Sequence, residues 1–366
     1  MVFQLEDAEQ DADVRGRISI ATYIILFVLK VSLAASVDTS EFQKRIAQRW
    51  AILFGVLCQF VVSPFCGALS VWFLGIPFIP GVLLLVITSC PGGCFSNWLC
   101  QLVNGDLAMS VAMTGCSTLV GVAVLPTNVY AYTWLLYSKQ VLSSQQWCGI
   151  VFSVATVLVA LCIGLAISNY LGSERWRVRF GHFGTVCGLF VFAFSAFEST
   201  NPETTTMPVW KRPWTFYAAV ALPVILTSLL MIVLTSVPHC RLQPPERVAV
   251  VIEAVYQNTA LASATAVQLF TGRHLGDAMG LVVLYQLCQG AVLLLFGICA
   301  HYAHWTLASP EESSLFGALV GNFQQQAASH LLLTAKAKSA SCYGNEAGYG
   351  THPKLAQRPS QHDSTA

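Results

Sequence analysis

Glu253 lies deep in an apolar run, ERVAVVIEAVYQNTALASATAVQLF, among Val, Ile and Ala. Glu198 stands at the end of another such run and Asp106 in a loop, so Glu253 is the one carboxylate well inside. A lone buried carboxylate either takes a proton or meets a cation. Gln257 follows one helical turn later on the same face, with Asn258 beside it. A carboxylate ringed by hydroxyl and amide oxygens suits a hard monovalent cation such as Na+. The other reading of Glu253 is a neutral acid hydrogen-bonded to a neighbour.

A second polar stretch, SCPGGCFSNWLCQLVNGD, runs from Ser89 to Asp106. Pro91, Gly92 and Gly93 cannot sustain a regular helix in the middle of an apolar run. A break there frees backbone amides and carbonyls, which are tolerable at membrane depth only when they line an enclosed or hydrated cavity. A packing kink is the plainer alternative. Ser96 and Asn97 follow the break with oxygen ligands. The next run carries Ser110, Thr114 and Ser117 on one helical face, with Thr118 alongside. Ser117 and Thr118 read as hydroxyls bonded back to their own helix.

The elements that must hold these groups are membrane spans. Of the 366 residues 55% are hydrophobic and 10% charged, against about 25% charged in soluble domains. Nine apolar runs approach the roughly 20 residues a membrane helix needs: 18–37, 50–74, 78–101, 107–136, 147–168, 181–198, 213–236, 248–271 and 278–304. The fold class expected is an all-α polytopic membrane protein of nine transmembrane helices. A transporter domain over 18–304 stands between an acidic N-terminus, 1–17, and a polar tail, 305–366. The tail's composition suggests disorder with a short helix near 311–338.

Charge placement sets the orientation. One set of connecting segments holds Lys44, Arg45, Arg49, Arg175, Arg177, Arg179, Arg241, Arg247, Lys336, Lys338, Lys354 and Arg358. The other holds Arg15, Arg17, Lys139, Lys211, Arg212 and Arg273. The richer set belongs in the cytoplasm, which puts the N-terminus outside and the tail inside. Lys30, within the first run, reads as a side chain snorkelling to the interface. The acidic N-terminus is unlike a cleavable signal, so the first run reads as a retained span. No outward segment carries a glycosylation acceptor.

Other chemistries find little support. Most of the 13 cysteines lie inside apolar runs and read as small buried side chains. His301 and His304 have no third metal ligand nearby in sequence. The net charge of +1 argues against nucleic acid as a partner. No nucleophile and base have credible spacing, so an enzyme is not expected.

At these same residues the sequence resembles the sodium/bile acid symporter family, also called solute carrier family 10. Three stretches carry the resemblance: CQFVVSPF (58–65), CPGGCFSNWLCQLVNGDLAMSVAMTGCSTL (90–119) and EAVYQNTALASA (253–264). Similarity of span order extends over roughly 18–304. The resemblance implies inverted repeats with two crossing broken helices and a core domain against which a panel domain rocks. By that analogy the core is about 50–136 and 213–304, and the panel about 18–37 and 147–198. It also implies two Na+ ions as co-transported ligands, with no other cofactor. Ser96, Asn97, Ser110, Thr114 and Glu253 would hold one ion. Gln59, Glu253 and Gln257, with the carbonyls of Ala254 and Tyr256, would hold the other. Asn97 and Asn258 would adjoin the substrate. The family's glycine between Glu and Gln is Val255 here, followed by the bulky Tyr256, so the backbone ligands of the second site depart from the pattern.

The function expected is secondary active symport of sodium with an organic anion, bile acid-like or a steroid conjugate, by alternating access in the plasma membrane. The competing expectations are a proton-coupled or uncoupled facilitator on the same fold, and a transporter-fold receptor or scaffold without transport.

Overall fold

The computed structural model describes residues 24–25, 27–32, 34–36, 49–93, 95–137, 143–171, 173–201, 205–237, 240, 242–270 and 273–308. All lie in the first of the chain's two compact units, Met1–Gly321; the second, Asn322–Ala366, is outside the described residues. The acidic N-terminus, the short helix expected near 311–338 and most of the tail are outside them too.

Among the described residues the fold is all helical, with one isolated backbone bridge and no strand. After helical residues in the first run come α1 (Arg49–Leu74), α2 (Phe78–Ser89), α3 (Ser96–Leu102), α4 (Leu107–Leu136), α5 (Ser144–Leu171) and α6 (Glu174–Glu198). A 3-10 turn at Val209–Lys211 leads to α7 (Trp214–Ser236), α8 (Pro244–Val255), α9 (Thr259–Leu269) and α10 (Arg273–Tyr302).

Six of these helices are long and apolar enough to cross a membrane: α1, α4, α5, α6, α7 and α10. Nine continuous spans are therefore not what the described residues form. The first run lies partly outside them, and two others, 78–101 and 248–271, are each split into two short helices. The first split has a local cause. Cys90 precedes Pro91 and takes the extended backbone (φ −65°, ψ 151°) that a following proline favours. The second split needs no glycine. Helix α8 runs through Val255 and ends at Tyr256 (φ −79°, ψ 95°), and Asn258 starts α9 by accepting the Leu261 amide at 3.1 Å.

Much of the outside of the molecule is apolar. On α1 the residues Leu53, Leu57, Val61, Phe65 and Leu69 recur every four positions and are all exposed. Such a continuous apolar stripe is unsuited to water and matches a bilayer. The half-helices are the reverse case. Residues Val82 to Ile87 of α2 and Val248 to Ile252 of α8 are entirely buried, so these stretches are apolar all round and sit at the centre of the bundle. Helix α8 packs against α1, α3, α4, α7 and α10, and α9 against α2, α5, α6 and α10.

Outside the bundle centre, the segment before α7 is tied down by an ion pair. Arg212 and Asp277 are in contact, and Asp277 also accepts from the Thr205 hydroxyl at 2.8 Å and the Thr206 amide at 2.9 Å.

Candidate functional site

The two helix breaks meet. The Gly93 amide donates to the Tyr256 carbonyl at 2.9 Å, and the Asn258 amide donates to the Pro91 carbonyl at 3.1 Å. These bonds make an antiparallel bridge between Gly92 and Gln257. Each break thus satisfies backbone groups the other has freed, which is the condition for non-helical backbone at membrane depth. Both glycines are required by close approach. A Cβ on Gly92 would lie 2.6 Å from Glu253 Oε2, and one on Gly93 would lie 2.9 Å from the Gln257 carbonyl oxygen. Ser117 also belongs here: it accepts from the Gly92 amide at 3.2 Å while donating to Thr114 O. Thr118 bonds back to Thr114 O at 2.7 Å, the local role its position suggested.

Glu253 is fully buried at this crossing. Its carboxylate accepts from the Ser110 hydroxyl and, through Oε2, from Thr114 at 2.8 Å. Asn97 Oδ1 stands 2.8 Å from Ser110 Oγ and 3.3 Å from Thr114 Oγ1. Each hydroxyl has one proton, so with Glu253 ionised two protons face three side-chain oxygens. The cluster is rich in acceptors and short of donors, the chemistry of a hard-cation site rather than a thiolate or imidazole one. Among the described residues no group of three His, Cys, Asp or Glu could hold a metal ion. Ser96 opens α3 with its hydroxyl on the Gly93 carbonyl at 2.9 Å. Ser96, Asn97, Ser110, Thr114 and Glu253 are thus gathered from α3, α4 and α8 around the first break.

The other expected set is gathered less completely. Gln257 donates through Nε2 to Ser63 Oγ at 2.9 Å and to the Ala254 carbonyl at 3.0 Å. The Tyr256 carbonyl is engaged by Gly93. Gln59, one turn before Ser63 on α1, is fully buried with neither amide atom hydrogen-bonded, and Gln257 Oε1 is also without a partner. Two buried carboxamide oxygens left unpaired are costly in a protein interior, on the order of 1–3 kcal/mol each.

Several residues differ from expectation. Asn97 turns toward Ser110 and Thr114, and Asn258 is fully buried as the cap of α9. Neither lines the cavity beside the crossing; their neighbours Phe95, Tyr256 and Thr259 do, with Ser195, Ser263 and Gln286. Lys30 is 7% exposed, packed inside rather than reaching for an interface.

The sequence reading passed over Ser63, Gln286 and Gln289. Gln289 is fully buried and grips the backbone of Gln257, accepting its amide at 2.9 Å and donating to its carbonyl at 3.1 Å. Gln286, one turn earlier on α10, meets Gln289 at 3.0 Å and also binds the Thr259 and Tyr256 hydroxyls. Two glutamines spaced i, i+3 inside an apolar run were the signal that could have found them.

Comparison with known proteins bears on this arrangement. The model of the Sodium Bile acid symporter family matches residues 23–200. The ileal sodium/bile acid cotransporter of Oryctolagus cuniculus is 33% identical over 155 residues, covering 42% of this chain and 42% of that protein. The sodium-dependent organic anion transporter of Homo sapiens is 30% identical over 158 residues, covering 43% and 40%. The ileal sodium/bile acid cotransporter of Homo sapiens is 28% identical over 278 residues, covering 75% and 76%. The chain thus matches about two fifths of the length of the first two relatives and about three quarters of the third. With six helices fit to cross a bilayer and a match to transporters, the chain is an integral membrane protein whose residues 23–200 are similar to the sodium bile acid symporter family.

Proposed function

We propose that the chain is a secondary active symporter that couples Na+ to the movement of an organic anion by alternating access. The observation that carries this reading is the fully buried Glu253 carboxylate at the contact of two broken helices, with more oxygen acceptors around it than protons. Sodium supplies the missing positive charge and draws α3, α4 and α8 together. One ion sits among Ser96, Asn97, Ser110, Thr114 and Glu253. A second uses Gln59, Glu253 and Gln257, with the remaining lone pairs of the Ala254 and Tyr256 carbonyls.

The anion, bile acid-like or a steroid conjugate by analogy with the named relatives, enters the cavity beside Tyr256. None of the described residues that line the cavity is charged, so bound sodium nearby balances the anion. Asn97 and Asn258 act at one remove, by holding the crossing. The core, about 50–136 and 213–304, moves against a panel of 18–37 and 147–198, with the N-terminus outside and the tail in the cytoplasm of a plasma-membrane protein. No covalent step is involved, and the chain is not an enzyme.

A one-ion stoichiometry is the second reading. It is favoured by the Ala254 and Tyr256 carbonyls, which each already accept a hydrogen bond. The test is uptake of labelled anions, beginning with a conjugated bile acid, into vesicles with and without an inward sodium gradient. Gradient-dependent uptake supports symport, and equal uptake overturns it. A Hill coefficient for sodium near one in place of about two selects the one-ion form.

A further inference from the structure

We infer that Gln289 and Gln286 form a polar relay linking the cation site to the substrate cavity, with Gln286 as a substrate-binding residue and Gln289 as its positioning residue. The inference rests on the symport reading above.

The argument begins at Gln257, whose side chain faces Ser63 and whose own oxygen is unpaired. Its backbone is held at both ends by one side chain. Gln289 Oε1 accepts the Gln257 amide at 2.9 Å, and Gln289 Nε2 donates to the Gln257 carbonyl at 3.1 Å. An amide and a carbonyl on the same residue admit only one orientation of that carboxamide. The second proton on Gln289 Nε2 then points to Gln286 Oε1, 3.0 Å away. That oxygen also accepts the Thr259 hydroxyl, which leaves Gln286 Nε2 to donate to the Tyr256 hydroxyl. Orientation is thus passed from the backbone of the break, through two carboxamides, to the cavity wall.

The relay ends in a spare donor. A carboxamide has two N–H groups and an oxygen with two lone pairs. In Gln286 both lone pairs and one N–H are used by Thr259, Gln289 and Tyr256. Gln286 is half-buried and lines the cavity. Its second N–H serves an acceptor oxygen of the ligand, such as a carboxylate, sulfonate or hydroxyl oxygen. When a cation draws on Gln257, the backbone that Gln289 holds shifts or stiffens, and the Gln286 donor is placed accordingly. Sodium then tightens anion binding, and by linkage the anion tightens sodium binding equally.

The experiment measures that linkage in the full chain. The sodium concentration for half-maximal thermal stabilisation of the purified protein is determined with and without the anion that shows the largest sodium-dependent uptake in the vesicle screen. Potassium serves as the control. Wild type is expected to show a shift of about fivefold or more. Gln289→Leu and Gln286→Leu are expected to keep sodium stabilisation alone, which also shows that they are folded, while the anion-induced shift falls to near onefold. Gln286→Glu keeps the size of the side chain but removes its donors. It is expected to raise the anion KM with little change in the maximal rate. If Gln289→Leu does not fold, the two Gln286 variants decide the matter. Full linkage retained in the variants overturns the relay alone. Absence of sodium–anion linkage in wild type overturns the symport reading, and the relay with it.

Discussion

The Gly93 amide donates to the Tyr256 carbonyl across 2.9 Å, joining residues more than 160 positions apart at the two helix breaks. This bond and its companion from Asn258 to Pro91 hold the short helices α2, α3, α8 and α9 around one point. Everything proposed for cation binding depends on that meeting, because it brings Glu253 against α4.

Gly93→Ala places a methyl 2.9 Å from the Gln257 carbonyl oxygen, which as backbone has little freedom to yield. Overpacking of this kind is expected to lower stability by about 1–3 kcal/mol. Thermal unfolding in detergent checks it. An unchanged melting temperature contradicts the close approach.

Glu253→Gln keeps the shape of the side chain but removes its charge and replaces one acceptor oxygen with an N–H donor. Folding is expected to survive, while the sodium concentration for half-maximal uptake rises about tenfold or more, equivalent to roughly 1.4 kcal/mol. Undiminished sodium dependence in vesicles refutes the assignment of Glu253.

Ser110→Ala removes a hydroxyl that bridges Asn97 and Glu253, whereas Ser117→Ala removes one that holds the Gly92 amide. The first is expected to weaken sodium activation by about fivefold to tenfold, a loss of about 1 kcal/mol or slightly more. The second should chiefly lower the melting temperature. Paired uptake and unfolding measurements separate the two roles, and identical profiles for both variants refute the distinction.

Val255→Gly tests whether the second break wants the family's glycine. Val255 is buried as the last residue of α8, and the chain unwinds one residue later. The substitution is expected to destabilise the protein by about 2–3 kcal/mol from lost burial and helix propensity. A gain in stability would show that valine strains the break.

Asp277→Ala removes the acceptor shared by Arg212, Thr205 and Thr206. Loss of this half-buried cluster is expected to cost about 1–3 kcal/mol. It should also expose the segment before α7 to protease. Limited proteolysis with mass mapping reads it out, and wild-type resistance refutes it.

The sequence by itself determined the local properties of the site. Pro91 forbids helix continuation, Glu253 is a lone carboxylate in an apolar run, and Ser110 and Thr114 share a face because a helix repeats every 3.6 residues. It also located the long apolar runs, since bilayer thickness sets their length. Only the tertiary structure decided which groups meet. Periodicity reports facing within one helix and is silent about partners on another. It therefore missed the hold of Gln289 on Gln257, the capping role of Asn258, the inward turn of Asn97 and the burial of Lys30. The second break was legible only as a resemblance, because no proline or glycine marks it. It exists because the Pro91 carbonyl and the Gly93 amide, freed by the first break, require a backbone partner, and Tyr256 and Asn258 supply it.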